Sequence, residues 1–188
     1  MSTKKTDRRI LHSKRFIREG LIDLLSTKTI DKISVLHLCN TADINRKTFY
    51  AHYSTPEDVL VEIENDIIKD IKNILEQYTI ENYLPHFFEF IKNNQYQYKI
   101  LIRNRSSRLK ENLTVMMEEY CYSHMMPEET FPDRNSAKIF LTYSTAGAVA
   151  ITDTWLDSGC IQTPEEVSAL ISALTAGAME KYSHYIRS

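Results

Sequence analysis

Apolar residues recur every three or four positions along most of this chain, and nowhere show the alternation of a sheet. Between residues 7 and 26, Ile10, Ile17, Leu21, Leu24 and Leu25 share one helical face, while Arg8, Arg9, Lys14, Arg15 and Arg18 occupy much of the rest. The same period predicts long helices at 55–76, 107–126, 135–157 and 164–185, and shorter ones at 34–41, 45–52, 82–93 and 95–103. Two helix starts are written alike. Thr55-Pro56-Glu57-Asp58 and Thr163-Pro164-Glu165-Glu166 each offer a Thr N-cap, Pro at the first helical position and acids in the first turn. Gly159 is placed to end the preceding helix with a positive φ. Pro127 and Pro132 bracket another break, Asp133 or Asn135 caps the helix after it, and Pro85 lies near the start of a further segment. The pattern predicts an all-α fold, without internal repeats or low-complexity tracts.

Composition changes this picture little. A chain of 188 residues buries a real core and lies between one domain and two small ones. With four Gly and five Pro there are few breaks, and an apolar content of 43% is ordinary for a globular protein. No uninterrupted apolar run approaches the ~20 residues of a membrane span. The basic start Met1-Ser2-Thr3-Lys4-Lys5 lacks the apolar stretch of a secretory signal, so the cytoplasm is the expected compartment. Cys39, Cys121 and Cys160 form neither a disulfide framework nor a pair at metal-ligand spacing, and are expected to be buried or idle thiols.

Charge changes the picture more. The net value of −2 hides a strong asymmetry. Residues 1–53 carry eleven Lys/Arg against five acids, a balance of +6, and residues 54–188 hold the remaining twelve against twenty, a balance of −8. A basic end on an acidic body fits a DNA-facing surface; a solvated basic helix without a partner is the alternative.

The chemistry concentrates in residues 34–53. Ser34 caps a short helix whose inner face is Val35, Leu38, Cys39 and Ala42, with small residues at 39 and 42 that let another helix cross closely. Asp43 makes a turn, Ile44 plugs the corner and Asn45 caps a second short helix. That helix puts Thr48 and Phe49 partly inward and turns Asn45, Arg46, Lys47 and Tyr50 outward. Two short helices, a tight turn and a cationic N-terminus on the second are what insertion into the major groove requires. Arg46 and Lys47 reach guanine acceptors or phosphates, Asn45 reads adenine or holds the backbone, and Tyr50 offers a hydroxyl to phosphate. The helix N-termini at Ser34 and Asn45 bring N–H groups toward the anionic backbone.

This stretch resembles the N-terminal helix-turn-helix of the tetracycline-repressor (TetR) family. The resemblance is carried by Ile33, Ser34, Val35, Leu38, Cys39, Ala42, Ile44, Asn45, Thr48, Phe49, Tyr50, His52 and Tyr53, and continues through Glu57, Asp58 and Leu60. The Tyr-x-His-Tyr ending is its most diagnostic part, since a generic helix-turn-helix does not need it. The resemblance implies a DNA-binding domain over residues 1–54, extending into a linking helix at 55–76, and a helical dimerisation and effector-binding body over 55–188. It implies Ser34, Asn45, Arg46, Lys47, Thr48 and Tyr50 as the DNA contacts, with His52 in a packing or hydrogen-bonding role. Two positions depart from the family pattern. Asp43 stands where the turn glycine is usual, and Pro56 where a phosphate-holding Lys is common. DNA binding is then expected to be weaker, or to lean more on Arg46, Lys47 and the basic first helix.

In the body, the last two long helices carry Ala146-Gly147-Ala148, Ser172-Ala173 and Ala176-Gly177-Ala178, with Ile139, Phe140, Val149, Trp155, Leu156, Leu170, Ile171, Leu174 and Met179 as apolar companions. Gly inside a helix often marks close packing. In the family these helices pair with their two-fold copies, which implies a homodimer here; packing within one chain is the alternative. Residues 78–125 are rich in Tyr, Phe and Met, with His86, Arg103 and His124 as polar members. Two readings fit that stripe, an effector pocket that includes Phe88, Tyr120 and His124, or an ordinary core.

The function expected from all this is a homodimeric regulator on a palindromic operator in double-stranded DNA, a ligand-responsive repressor whose effector changes the separation or tilt of its two recognition helices. The alternative keeps the fold but works mainly through protein–protein contacts. An enzyme is not expected: the six His and three Cys show no H-x-x-x-H or C-x-x-C spacing, and there is no phosphate-binding Gly loop or nucleophile elbow. No catalytic residue, metal ligand or cofactor is assigned.

Overall fold

Nine α-helices and one short 3₁₀ turn make up the secondary structure of the described residues, which are 3–79, 82–125 and 131–187 in this computed structural model. In order they are α1 (Thr3–Leu25), the 3₁₀ turn Ile30–Lys32, α2 (Val35–Thr41), α3 (Arg46–Tyr50), α4 (Pro56–Gln77), α5 (Tyr83–Asn93), α6 (Gln95–Arg103), α7 (Leu109–Met125), α8 (Arg134–Asp157) and α9 (Pro164–Arg187). No strand occurs among the described residues, so the fold is all-α as the periodicity predicts. The helix α1 begins earlier than its apolar face suggests, and Ile10 on that face is 38% exposed. The 3₁₀ turn carries no apolar period, and the sequence pattern does not predict it.

Helix ends follow local chemistry. Thr55 Oγ1 accepts from the Asp58 N–H at 3.3 Å while the Asp58 carboxylate accepts from the Thr55 N–H at 2.9 Å, a reciprocal cap for α4. Thr163 and Glu166 repeat it at α9, at 3.2 and 2.8 Å. Between the two candidates for α8 it is Asp133 that caps, accepting from the Ser136 N–H at 2.8 Å. Pro127 lies outside the described residues. At the end of α8, Gly159 has φ +79° and Cys160 +58°, while the Cys160 N–H reaches back to the Trp155 carbonyl at 2.9 Å.

The chain divides into two compact units that do not follow chain order. The first ends at Lys69 but takes in Tyr96–Leu109; the second holds Asp70–Gln95 and the chain from Lys110 onward. In the first unit, Ile17, Leu21, Leu25, Leu38, Phe49, Val59, Ile63 and Leu101 are buried. The excursion through α6 is tied down by polar bonds: the Asn104 amide donates to the carbonyls of Leu25 (2.8 Å) and Lys28 (2.9 Å), Ser106 Oγ accepts from the Ile30 N–H (3.1 Å), and Glu64 accepts from the Arg108 N–H (3.0 Å). In the second unit α9 packs chiefly along α5, around Phe88, Ile91, Trp155, Leu156, Val167 and Ile171. The Trp155 indole N–H donates to the Gln162 carbonyl at 2.9 Å, so this polar edge is satisfied.

One close approach sets the geometry of the first unit. A Cβ added to Gly20 of α1 would lie 3.1 Å from Ala42 Cβ and 3.2 Å from the Ala42 backbone nitrogen. The small residue at 42 therefore admits α1 against the end of α2, and Gly20 is its counterpart. Backbone cannot move aside as a flexible side chain can, so the crossing tolerates no bulk. Gly20→Val is expected to lower stability by about 1–3 kcal/mol in urea denaturation. Gly147, by contrast, has open space over its Cα within the chain. An unchanged midpoint for Gly20→Val would contradict the close crossing.

Candidate nucleic-acid interface

The geometry of α3 starts in the turn before it. Asp43 adopts φ +50°, the left-handed conformation that Asp tolerates better than most residues. The Ile44 N–H then bonds to the Cys39 carbonyl (3.0 Å) and the Asp43 N–H to the Asn40 carbonyl (3.4 Å), closing α2 in a Schellman arrangement. The departure at residue 43 thus keeps the turn. Asn45 follows as the cap of α3, its Oδ1 accepting from both the Thr48 N–H (2.7 Å) and the Thr48 hydroxyl (3.0 Å). Ser34 caps α2 in the same manner, accepting from the His37 N–H at 3.2 Å.

These caps sort the expected contacts. Phe49 is fully buried, and the Tyr50 and Tyr53 rings pack about it at 5.6 and 5.9 Å. With Phe49 inward, Arg46, Lys47 and Tyr50 are exposed, Tyr50 at 59%. Asn45 is exposed too, but Oδ1 already accepts twice, so only its amide N–H₂ is left to donate; bidentate pairing with adenine needs both ends. Thr48 is half-buried with its hydroxyl on Asn45, which makes it part of the cap. His52 is half-buried, its ring edge-on to Tyr53 at 6.4 Å.

Among the described side chains of the basic first helix, Lys14, Arg15 and Arg18 are paired with acids. Glu62 of α4 accepts from Lys14 Nζ at 2.8 Å and from Arg18 at 3.3 Å, and Arg18 also pairs with Asp66. Arg15 faces Glu19 at 3.7 Å. Lys14 and Arg18 of the basic first helix are thus ion-paired within the unit. The Tyr53 hydroxyl completes the cluster by donating to Glu62 at 3.0 Å. Burial raises the Tyr53 pKa and the Glu62 hydrogen bond raises it further. For Glu62 burial acts upward, but Lys14, Tyr53 and Arg18 outweigh it and hold the carboxyl below its ordinary range. Glu62 therefore clamps the end of the helix-turn-helix to α4. No sequence period marks it; only its spacing from Tyr53 on the diagnostic motif is visible in the chain.

The start of α4 has an electrostatic consequence. Pro56 is its first residue and lacks an N–H, while the N–H groups of Ser54 and Thr55 both donate to Asp58, at 2.8 and 2.9 Å. Those bonds hold the Asp58 carboxyl below the ordinary range. A helix start that elsewhere attracts phosphate here carries its own anion.

The residues expected to form an effector pocket are distributed differently. Phe88 is 1% exposed and meets the Trp155 ring edge-on at 5.4 Å, a core contact. Tyr120 and His124 stack at 4.5 Å; Tyr120 is half-buried beside Tyr83 and His124 is exposed. Tyr96, Tyr98 and Arg103, part of the same aromatic-rich stretch, fall in the first unit. Burial pushes the Cys121 thiol up to about 11, and burial also raises Cys39. No group of His, Cys, Asp and Glu among the described residues is arranged to hold a metal ion, and no described helix is long and apolar enough to cross a membrane.

Comparison with known proteins agrees with this architecture. The family model described as "Transcriptional regulator C-terminal region", of TetR type, matches residues 78–177. The HTH-type dhaKLM operon transcriptional activator DhaS of Lactococcus lactis is 30% identical over 88 residues, 46% of this chain and 47% of that protein, so the chain matches about half of its length. Two solved structures share the fold. One is a dihydroxyacetone kinase operon activator DhaS, at 19% identity and a TM-score of 0.61 over 89% of this chain and 96% of that one. The other is a TetR transcriptional regulator from Streptococcus agalactiae, at 21% identity and a TM-score of 0.69 over 93% and 99%.

The Glu62 clamp yields a signed pH dependence. A carboxyl depressed in the folded state contributes stability that is present at neutral pH and is lost as pH falls through the acidic range. With its side chain 31% exposed, the cluster is partly screened, and Glu62→Gln is expected to cost about 1–2 kcal/mol at pH 7. The difference from wild type should shrink toward low pH in urea denaturation, and a constant difference would contradict the clamp.

Proposed function

Because this chain belongs to the TetR family of transcriptional regulators, we propose that it acts as a homodimer that lays α3 of each copy into the major groove of a palindromic operator. The observation that carries this is α3 itself, with Phe49 fully buried and Arg46, Lys47 and Tyr50 outward on a capped five-residue helix. Arg46 and Lys47 supply base and phosphate contacts, Tyr50 and Ser34 hydroxyls steady the backbone, and the Asn45 amide donates. One such helix reads few base pairs, so a second half-site about 34 Å away, or a multiple of it, is needed for specificity.

Support for the dimer comes from α8 and α9. Ile139, Tyr143, Leu170 and Leu174 are exposed, three of them above 55%, beside Gly147 and Gly177 whose Cα atoms face open space. Trp155, Leu156 and Ile171, which sequence grouped with them, are buried in the body instead. An exposed apolar stripe with small residues suits close pairing with a second copy. The effector belongs to the same proposal, with Tyr120 and His124 as the accessible members of its site.

The sign of regulation has two readings. Repression follows from occupying an operator that overlaps a promoter. Activation is favoured by the likeness to DhaS, which is named as an activator. A second alternative, action mainly through protein partners, is favoured by the Asp58 anion at the α4 start and the ion-paired Lys14 and Arg18. Binding to the chain's own upstream DNA separates it from the first proposal, since steep weakening with salt is the mark of phosphate contact. A reporter behind that region rises on loss of a repressor and falls on loss of an activator.

Arg46→Ala with Lys47→Ala is expected to weaken operator binding by about tenfold or more in fluorescence anisotropy, leaving helicity and dimer mass unchanged. Dimers of the double variant that bind DNA normally would remove α3 from the recognition role. Leu174→Arg is expected to convert the dimer to monomer in sedimentation, and to lose operator binding with it.

A further inference from the structure

Beside the segment that joins α1 to α2, the first unit opens a cleft of about 530 Å³. Its walls come from two stretches far apart in sequence, the turn and 3₁₀ helix after α1, and α6 with the loop that follows it. Five of its lining side chains are cationic, Lys28, Lys32, Lys99, Arg103 and Arg105, and none of the lining residues is acidic. Lys99 and Arg103 engage other groups as well, and Lys28, Lys32 and Arg105 define the site. Lys28 Nζ lies 3.1 Å from His37 Nε2, a contact that orients the ammonium without cancelling its charge. Asp23 and Asp31 belong to the same stretch but do not line the cleft, and Asp23 accepts the Tyr96 hydroxyl at 3.0 Å.

The two walls are held together by the Asn104 amide, bonded to the carbonyls of Leu25 and Lys28, and by Ser106, which accepts from the Ile30 N–H. The cations are thus gathered around one cleft by structure rather than by chance proximity. Like charges so placed repel one another and focus a positive potential, which a bound anion relieves. The volume falls within the range of small-molecule sites, and Leu25 and Ile100 give it an apolar part.

We propose that this cleft binds a multivalent phosphate-type anion, with Lys28, Lys32 and Arg105 as its contacts. A phosphoryl group presents several acceptor oxygens to ammonium and guanidinium donors, which is the pairing such residues favour. Its source is either a free phosphorylated small molecule or the backbone of bound nucleic acid. Because the walls meet at the entry to α2, occupancy bears on the segment that positions the helix-turn-helix. The site does not depend on α3 reading DNA.

Inorganic pyrophosphate titrated into the full chain by calorimetry, at ionic strength held constant with KCl, tests this. Saturable binding is expected, weakened about tenfold or more in Lys28→Ala/Lys32→Ala/Arg105→Ala and unchanged in Arg46→Ala/Lys47→Ala. Circular dichroism checks folding; should the triple variant lose helicity, Arg105→Ala alone, on a loop position, is expected to weaken binding measurably. Displacement of pyrophosphate by a duplex of unrelated sequence identifies the nucleic-acid backbone as the source, and retention identifies a free anion. Absence of saturable binding, no weakening in the folded cleft variants, or an equal loss in the α3 variant would overturn the proposal.

Discussion

A helix of five residues cannot hold its own direction in water, so everything α3 does depends on the burial of Phe49. That one ring fixes which side of α3 faces the core, and by default which side faces outward. The surrounding devices all serve its placement. Asp43 takes the left-handed turn, Asn45 caps the first N–H groups, and Gly20 admits Ala42 so that α2 lies close to α1. Tyr53, one turn beyond Phe49, carries the constraint on to Glu62 and hence to α4.

The same devices narrow the charge available for binding. A balance of +6 over residues 1–53 counts cations that α4 then neutralises, because Glu62 and Asp66 lie beyond that window in sequence but against Lys14 and Arg18 in space. On α3, Arg46 and Lys47 stay exposed as a small pair at the start of the helix. A second positive region sits at Lys28, Lys32 and Arg105, around the cleft beside the entry to α2. If α3 and the cleft act as proposed, substitutions at the two places are expected to differ in how strongly their effects depend on sequence and on salt.

Much of this was legible from the chain alone where the cause is local. All the predicted helices occur, with bounds shifted by a few residues, because caps, prolines and apolar period act within a few positions. The outward set on α3 obeys the same rule. What stayed hidden depends on distant partners. Gly20 carries no sign of its contact with Ala42, Glu62 looks like any surface acid on α4, and the docking of 96–109 into the first unit rests on Asn104, Ser106 and Glu64 finding partners forty or more residues away. The aromatic stripe of 78–125 was ambiguous for a physical reason: Phe88 in a core and Phe88 in a pocket have the same sequence signature, and only its burial against Trp155 separates them. The family match on 78–177 likewise falls on the part that showed layout but little motif.

As proposed, two copies of α3 address DNA together from a fixed separation. Hydroxyl-radical footprinting of the purified protein on its own upstream DNA tests it most directly. Two equivalent protected segments are expected on one face of the duplex, with centres about 34 Å or a multiple of it apart. A single unpaired protection, or none at low salt, would contradict it.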